Sequence, residues 1–205
     1  MYTLVGMGRP PRHDADRLLD AAADLVAESG PRNVTVAAVA RTAGAPSGSV
    51  YHRFPGLPAL LAALWVRTVE RFQEGVLDAL RLDPPCRAVV AASRHTLAWC
   101  REHPRDARIL LYSPADFDEP NWPPETRERL RAANRRVLDE LRALGARLGL
   151  DTPEGMERLF QIVVDLPLAV VRRHLSSSRP IPEYAETMLV ANVEALIAGD
   201  RLTTP

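Results

Sequence analysis

The sequence predicts an all-α protein: an N-terminal three-helix head with a helix-turn-helix, followed by a helical body. Three observations carry this. Aromatic residues make up only 5% of the chain while Ala and Leu abound. Apolar residues recur at spacings of three and four, and strand-like alternation is absent. Each apolar stretch is bounded by proline or glycine, the residues that stop helices. With 205 residues the chain can bury one sizeable core, or one core beside a small head.

The first dozen residues, MYTLVGMGRPPR, predict an irregular arm, since Gly6, Gly8, Pro10 and Pro11 disfavour regular structure. Arg9 and Arg12 suit either a minor groove or a solvated tail. The first helix is expected from about Asp14 to Ser29, burying Leu18, Leu19, Ala22, Leu25 and Val26, with Gly30 and Pro31 as its stop.

The stretch from Thr35 to Phe54, TVAAVARTAGAPSGSVYHRF, predicts two short helices joined by a tight turn. Thr35 is a natural N-cap, because its hydroxyl can accept from a free N–H of the first turn. Val36, Val39, Ala40 and Ala43 follow on one face. Gly44 stands where a left-handed residue ends a helix without a Cβ clash. Pro46 and Ser47 open the second helix, Val50 and Phe54 point inward, and Ser47, Ser49, Tyr51 and His52 remain for the outer face. Small hydroxyls, a phenol and an imidazole suit a major groove flanked by phosphates. Periodicity alone is equally compatible with an ordinary αα-hairpin.

The residue string separates these readings. Thr35, Val39, Ala40, Ala43, Gly44, Ala45, Gly48, Val50, Tyr51 and Phe54 stand in one register, T-x-x-x-V-A-x-x-A-G-A-x-x-G-x-V-Y-x-x-F. In that register the block from Arg17 to Leu61 resembles the tetracycline-repressor-like (TetR) family of transcriptional regulators. The resemblance implies a DNA-binding head over residues 1–56, touching a palindromic operator through Thr35, Pro46, Ser47, Gly48, Ser49, Tyr51, His52 and Arg53. It implies an effector-binding and dimerisation body over residues 57–205, with repression as the default sign. Two positions depart from the family's pattern. Pro46 replaces the usual Ser or Thr cap, which leaves Ser47 to take over that job, and Leu57 stands where a phosphate-contacting Lys is common.

Charge agrees in its distribution and not in its sum. The 26 basic residues, all of them Arg, balance 26 acids, so the molecule is no general polyanion binder. The absence of Lys fits a GC-rich genome better than a binding chemistry. In residues 1–56 the acids are Asp14, Asp16, Asp20, Asp24 and Glu28, all on the first helix. From Ser29 to Gly56 there are Arg32, Arg41 and Arg53 and no acid, so positive potential falls on the helix-turn-helix.

Beyond Phe54 the Pro55–Gly56 pair turns the chain into a long helix whose apolar stripe includes Leu57, Leu61, Leu64, Trp65, Phe72 and Leu80. Pro84–Pro85 opens the next helix, which runs to about Glu102, and a short one follows from Arg105 to Tyr112. Residues Ser113 to Pro124 predict one long irregular connection, either a loop near a pocket entrance or simply a loop. An arginine-rich helix to about Leu150 is interleaved with acids, which fits a solvated, salt-bridged face better than RNA binding. The last two helices, about Pro153–Leu175 and Pro182–Ala198, carry wide apolar stripes. Val164 and Leu168 belong to the first, Tyr184, Met188, Leu189 and Leu196 to the second. By the resemblance they pair with a second copy as a four-helix bundle, making a homodimer.

No nucleophile–base pattern, phosphate-binding glycine loop or catalytic carboxylate pair is visible, so no enzyme is expected. The five histidines lack HxxxH spacing, so neither a metal nor a cofactor is expected. Cys86 and Cys100 fall on one helix roughly 20 Å apart, too far for a disulfide. Free thiols suit the cytoplasm, and no membrane span is apparent. Candidate effector residues are Trp65, Phe72, His95, Trp99 and Asp165. Asp165 sits in QIVVDLPLAVV, where a buried carboxylate must find a donor or stay neutral. Pro167 should kink that helix by freeing the carbonyl of Val163. The pair suits either a pocket floor or an internal hydrogen bond at the dimer interface. The rival reading is a helical small-molecule-binding or enzymatic protein that kept a degenerate DNA head.

Overall fold

The computed structural model describes residues 11–177 and 179–201, and side chains within 15–177 and 179–199. The head contains α1 (Pro11–Ser29), a 3-10 turn (Pro31–Asn33), α2 (Val36–Thr42) and α3 (Ser47–Arg53). The long helix α4 (Leu57–Leu80) follows, then α5 (Pro85–Glu102) and α6 (Pro104–Leu110). Two 3-10 turns (Pro114–Phe117 and Glu119–Asn121) lead into α7 (Pro124–Leu148). The chain closes with α8 (Pro153–Phe160), a π turn (Gln161–Asp165), α9 (Leu166–Leu175) and α10 (Glu183–Arg201). Among the described residues no strand occurs, and no helix is long and apolar enough to cross a membrane.

α1 starts at Pro11, earlier than expected. A proline is tolerated in the first helical turn, where its missing N–H would have had no partner anyway. The expected arm with Arg9 lies outside the described residues, and so does the side chain of Arg12.

Two apolar clusters share α4 as their common element. One gathers α1 to α3, the first half of α4, and Ile109, Phe117 and Trp122. The other joins the second half of α4 to α5 and to α7 through α10. At about 1.5 Å per residue, α4 spans both.

The connection after α6 is not irregular. Ser113 donates through its N–H (2.8 Å) and its hydroxyl (2.7 Å) to Asp116. Trp122 Nε1 donates to the Phe117 carbonyl at 2.7 Å. Phe117 is 0% exposed and packs on Trp65 with ring centroids 5.0 Å apart. The prolines and acids are turn chemistry, and the two aromatics anchor those turns to the head's core.

Pro167 acts as expected on the helix before it, but through a widened turn and not a simple kink. The π turn directly precedes α9, and the Ser93 hydroxyl lies 3.2 Å from the Ile162 carbonyl there. The wider turn rotates the register, and Asp165 consequently faces solvent. Its expected burial does not occur.

The last stripe also divides differently from expectation. Ala185, Leu189 and Val193 are buried within the chain, where α10 packs on α5. Glu186 reinforces that contact through Arg94 and Arg101. Tyr184, Met188 and Leu196 remain exposed on the single chain.

Candidate nucleic-acid interface and interior cavity

The helix-turn-helix is built by local chemistry. Thr35 is extended and its hydroxyl accepts from Ala38 N at 3.1 Å, capping α2. Gly44 takes φ 59, and Ala45 N donates back to the Ala40 carbonyl at 2.9 Å. A Cβ at that φ would be strained, which is why glycine stands there. Pro46 is the N-cap of α3 and no side chain caps the helix, so Ser47 does not take over that role. Its place explains this: Ser47 is the first residue inside the helix, one position past the cap.

Val50, 0% exposed, fixes α3 to the core, and Phe54 N closes the helix on the Val50 carbonyl at 2.8 Å. With that side anchored, Pro46, Ser47, Gly48, Tyr51 and His52 are exposed, Tyr51 by 60%. Thr35 is exposed at the start of α2, while Ser49 and Arg53 are half-buried, with Arg53 Nη1 3.4 Å from the Ser49 carbonyl. A Cβ built on Gly48 would meet nothing within 4 Å.

Three acids of α1 are engaged elsewhere. Arg67 of α4 donates to Asp20 at 2.9 Å and lies 3.7 Å from Asp16. Arg105 of α6 reaches Asp24 at 3.0 Å and Asp20 at 3.6 Å. Asp16, Asp20 and Asp24 are thus paired with arginines of the body, and Arg41 is exposed on α2. Leu57, half-buried, packs on the head's core and does not stand free at the start of α4.

The body holds a pocket of about 390 Å³, partly open to solvent at Asn134 and Phe160, between α4, α5, α7 and the α8–α9 segment, a size typical of ligand pockets. Its walls are apolar apart from Gln73, Thr96 and Asn134, and Gln73 Nε2 donates to Asn134 Oδ1 at 2.8 Å. A second chamber of about 220 Å³ adjoins it, sharing Phe72, Thr96 and Leu168 and adding Trp65, Cys100 and Tyr112. Burial pushes the Cys100 thiol up to about 12, which keeps it protonated and unreactive.

Of the candidate effector residues, Phe72 and Trp65 line these chambers. His95 and Trp99 stand behind Phe72, with ring centroids 5.6 and 5.3 Å from it. His95 Nε2 donates to the Phe72 carbonyl at 3.0 Å, and Trp99 stacks on His103. Asp165 is on neither wall. Gln73 and Asn134 were missed, because their amides sit on helices whose charged residues make those faces look solvated. The recurring Leu130, Val137, Leu141 and Leu144 on α7 were the available signal. Among the described residues no cluster of three metal-binding side chains occurs.

Residues 18–64 match the family model described as bacterial regulatory proteins of the tetR family. No curated protein matches the sequence. A transcriptional regulator from Rhodococcus sp. Rha1 is 27% identical, with a TM-score of 0.63 over 90% of this chain and 96% of that one. The TetR family regulator PfmR from Thermus thermophilus is 21% identical, with a TM-score of 0.66 over 89% and 94%. The fatty acid degradation regulator FadR from Bacillus halodurans is 18% identical, with a TM-score of 0.68 over 93% and 96%. The head motif is matched in register and the body carries the same fold as these regulators along nearly its whole length. Residues 18–64 thus form a head of the tetR family of bacterial regulatory proteins, and the chain as a whole shares the fold of these regulators.

Proposed function

We propose that the chain is a ligand-responsive regulator that binds a palindromic operator as a homodimer in the cytoplasm. Residues 1–56 contact DNA through the exposed face of α3 and the start of α2, and residues 57–205 hold the effector and the partner copy. A small, largely apolar effector in the interior cavity changes the spacing of the two heads and releases the operator, which makes repression the default.

The observation that carries the DNA reading is the outer surface of α3. A glycine inside a helix costs about 0.5–1 kcal/mol relative to alanine, yet none of the described residues occupies the space beside Gly48. Close approach of a duplex backbone supplies a reason that the chain itself does not. The exposed Tyr51 and His52 follow Gly48 by three and four positions, one helical turn on.

The test is fluorescence anisotropy on DNA upstream of the chain's own gene against random DNA. Tyr51→Ala should lower specific affinity by roughly ten- to a hundredfold, the range of a good recognition contact. Its melting midpoint should hardly move, because exposed substitutions stay within about 0.5 kcal/mol. A wild type that binds neither DNA would favour the rival, a helical small-molecule-binding or enzymatic protein with a degenerate head. The uncapped Pro46 and the tucked Leu57 are its support.

For the dimer, the variant of choice is Met188→Arg, since Met188 is 61% exposed on the single chain. An unpaired charge in the interface costs about 3–5 kcal/mol, so light scattering should report a monomer. A dimeric Met188→Arg would remove the outer face of α10 from the interface.

A further inference from the structure

Two polar groups on the cavity walls have no partner among the described residues. Trp65, only 6% exposed, lines the smaller chamber, and its indole Nε1 is buried without a hydrogen bond. Buried indole N–H groups ordinarily find an acceptor, and this one can only donate. Gln73 lines the larger chamber, where its Oε1 is buried and unpaired while its Nε2 is held by Asn134. An amide can exchange its oxygen and nitrogen by turning end for end. A hydroxyl, donor and acceptor at once, satisfies Gln73 either way.

Charge is missing from both walls. Among the described residues no Asp, Glu, Arg or His lines either chamber. An ionised ligand group buried there would be uncompensated, which is strongly unfavourable. Trp65 and Gln73 are eight positions apart on α4, about 12 Å along its axis.

We propose that the two adjoining chambers bind an uncharged, elongated, mostly apolar ligand bearing two oxygen functions. A carbonyl-type oxygen accepts from Trp65 Nε1, and a hydroxyl pairs with the Gln73 amide. This deepens, and rests on, the reading that the body holds an effector.

The probe is N-phenyl-1-naphthylamine, an uncharged apolar fluorophore, titrated into the full-length protein and then displaced. The competitors are a linear methyl ketone of about ten carbons with a terminal hydroxyl, sized to the spacing along α4, and three analogues. One lacks the ketone, one lacks the hydroxyl, and one carries a carboxylate in place of the hydroxyl. In Trp65→Phe the affinity ratio of the full compound to its ketone-less analogue should fall about tenfold, the worth of one hydrogen bond. In Gln73→Leu the ratio to the hydroxyl-less analogue should fall similarly. Each ratio is taken on one variant, so a general loss of stability cancels. The carboxylate should compete at least about a hundredfold more weakly than the hydroxy ketone.

Unchanged ratios in both variants, or a carboxylate that competes best, would overturn this assignment while leaving an effector site in place. Val137→Trp, which fills the larger chamber, separates the two levels. If the fluorophore does not bind, or binds Val137→Trp as well as wild type, the effector site itself falls and this inference falls with it.

Discussion

The head exposes its candidate DNA-contacting side chains mainly on one helix of seven residues, while the body assembles its cavity from α4, α5, α7, α8 and α9. On α3 the exposed and anchored sides follow from spacing alone, because Val50 and Phe54 face one way and Ser47, Tyr51 and His52 the other. In the cavity each helix contributes side chains whose partners lie far along the chain, as Gln73 meets Asn134. A contiguous surface can be inferred from a short string. A cavity depends on the relative rotation of several helices, which no single stripe fixes.

The largest expected effect tests where the head ends. Phe117 is fully buried against Trp65 and belongs to the cluster that holds α1 to α3. Phe117→Ala should cost about 3–5 kcal/mol, the usual loss for a buried aromatic. The loss should appear in urea unfolding together with weaker DNA binding, because the head's core loses its support from the connection after α6. A cost below about 1 kcal/mol would mean the connection only covers the head and does not hold it.

Legibility followed the same division. Thr35 as cap, Gly44 as left-handed turn and Val50 as anchor were all visible, because each depends on neighbours within four residues. Asp165 was misplaced because its neighbours in sequence are apolar, and nothing in the string announces a π turn that turns it outward. Leu189 and Met188 illustrate a related limit. The stripe on α10 is wide, and adjacent residues about 100° apart face different surroundings, Leu189 buried within the chain and Met188 exposed. Phe117 and Trp122 were hidden in a segment rich in proline and acids, where composition argued for a loop.

A smaller effect concerns the seam between the regions. Leu57 is half-buried against the head, so a lysine there loses apolar contact and adds positive charge to a helix N-terminus. Its stem can still cover part of that surface. Leu57→Lys should therefore cost about 1 kcal/mol and leave the salt slope of DNA binding unchanged. A slope steeper by about 0.9 per subunit, with stability intact, would show that the position faces the phosphates after all.

The smallest effect lies in the body, where His95 tests whether the α4–α5 seam beside the cavity is dry. Its ring packs on Phe72, and a Cβ on Gly75 would come within 2.2 Å of it, so the two helices meet closely there. Burial lowers the His95 pKa below its ordinary value, opposed by the hydrogen bond to the Phe72 carbonyl and by the charges of Glu102 and Asp78. In the unfolded chain the imidazole takes up a proton as pH falls through about 6.5, while the folded protein resists. The unfolded state then binds more protons, so stability drops with falling pH. The contribution of His95 is therefore fully present above about pH 6.5 and is lost below it, down to the lowered folded value. Urea midpoints of wild type and His95→Gln, which keeps an N–H for the carbonyl, should diverge across that window. Wild type should lose more between about pH 7.5 and 5.5, the interval that brackets the free imidazole. Parallel profiles would mean that water reaches the ring from the cavity, and that the seam is as wet as the surface of the head.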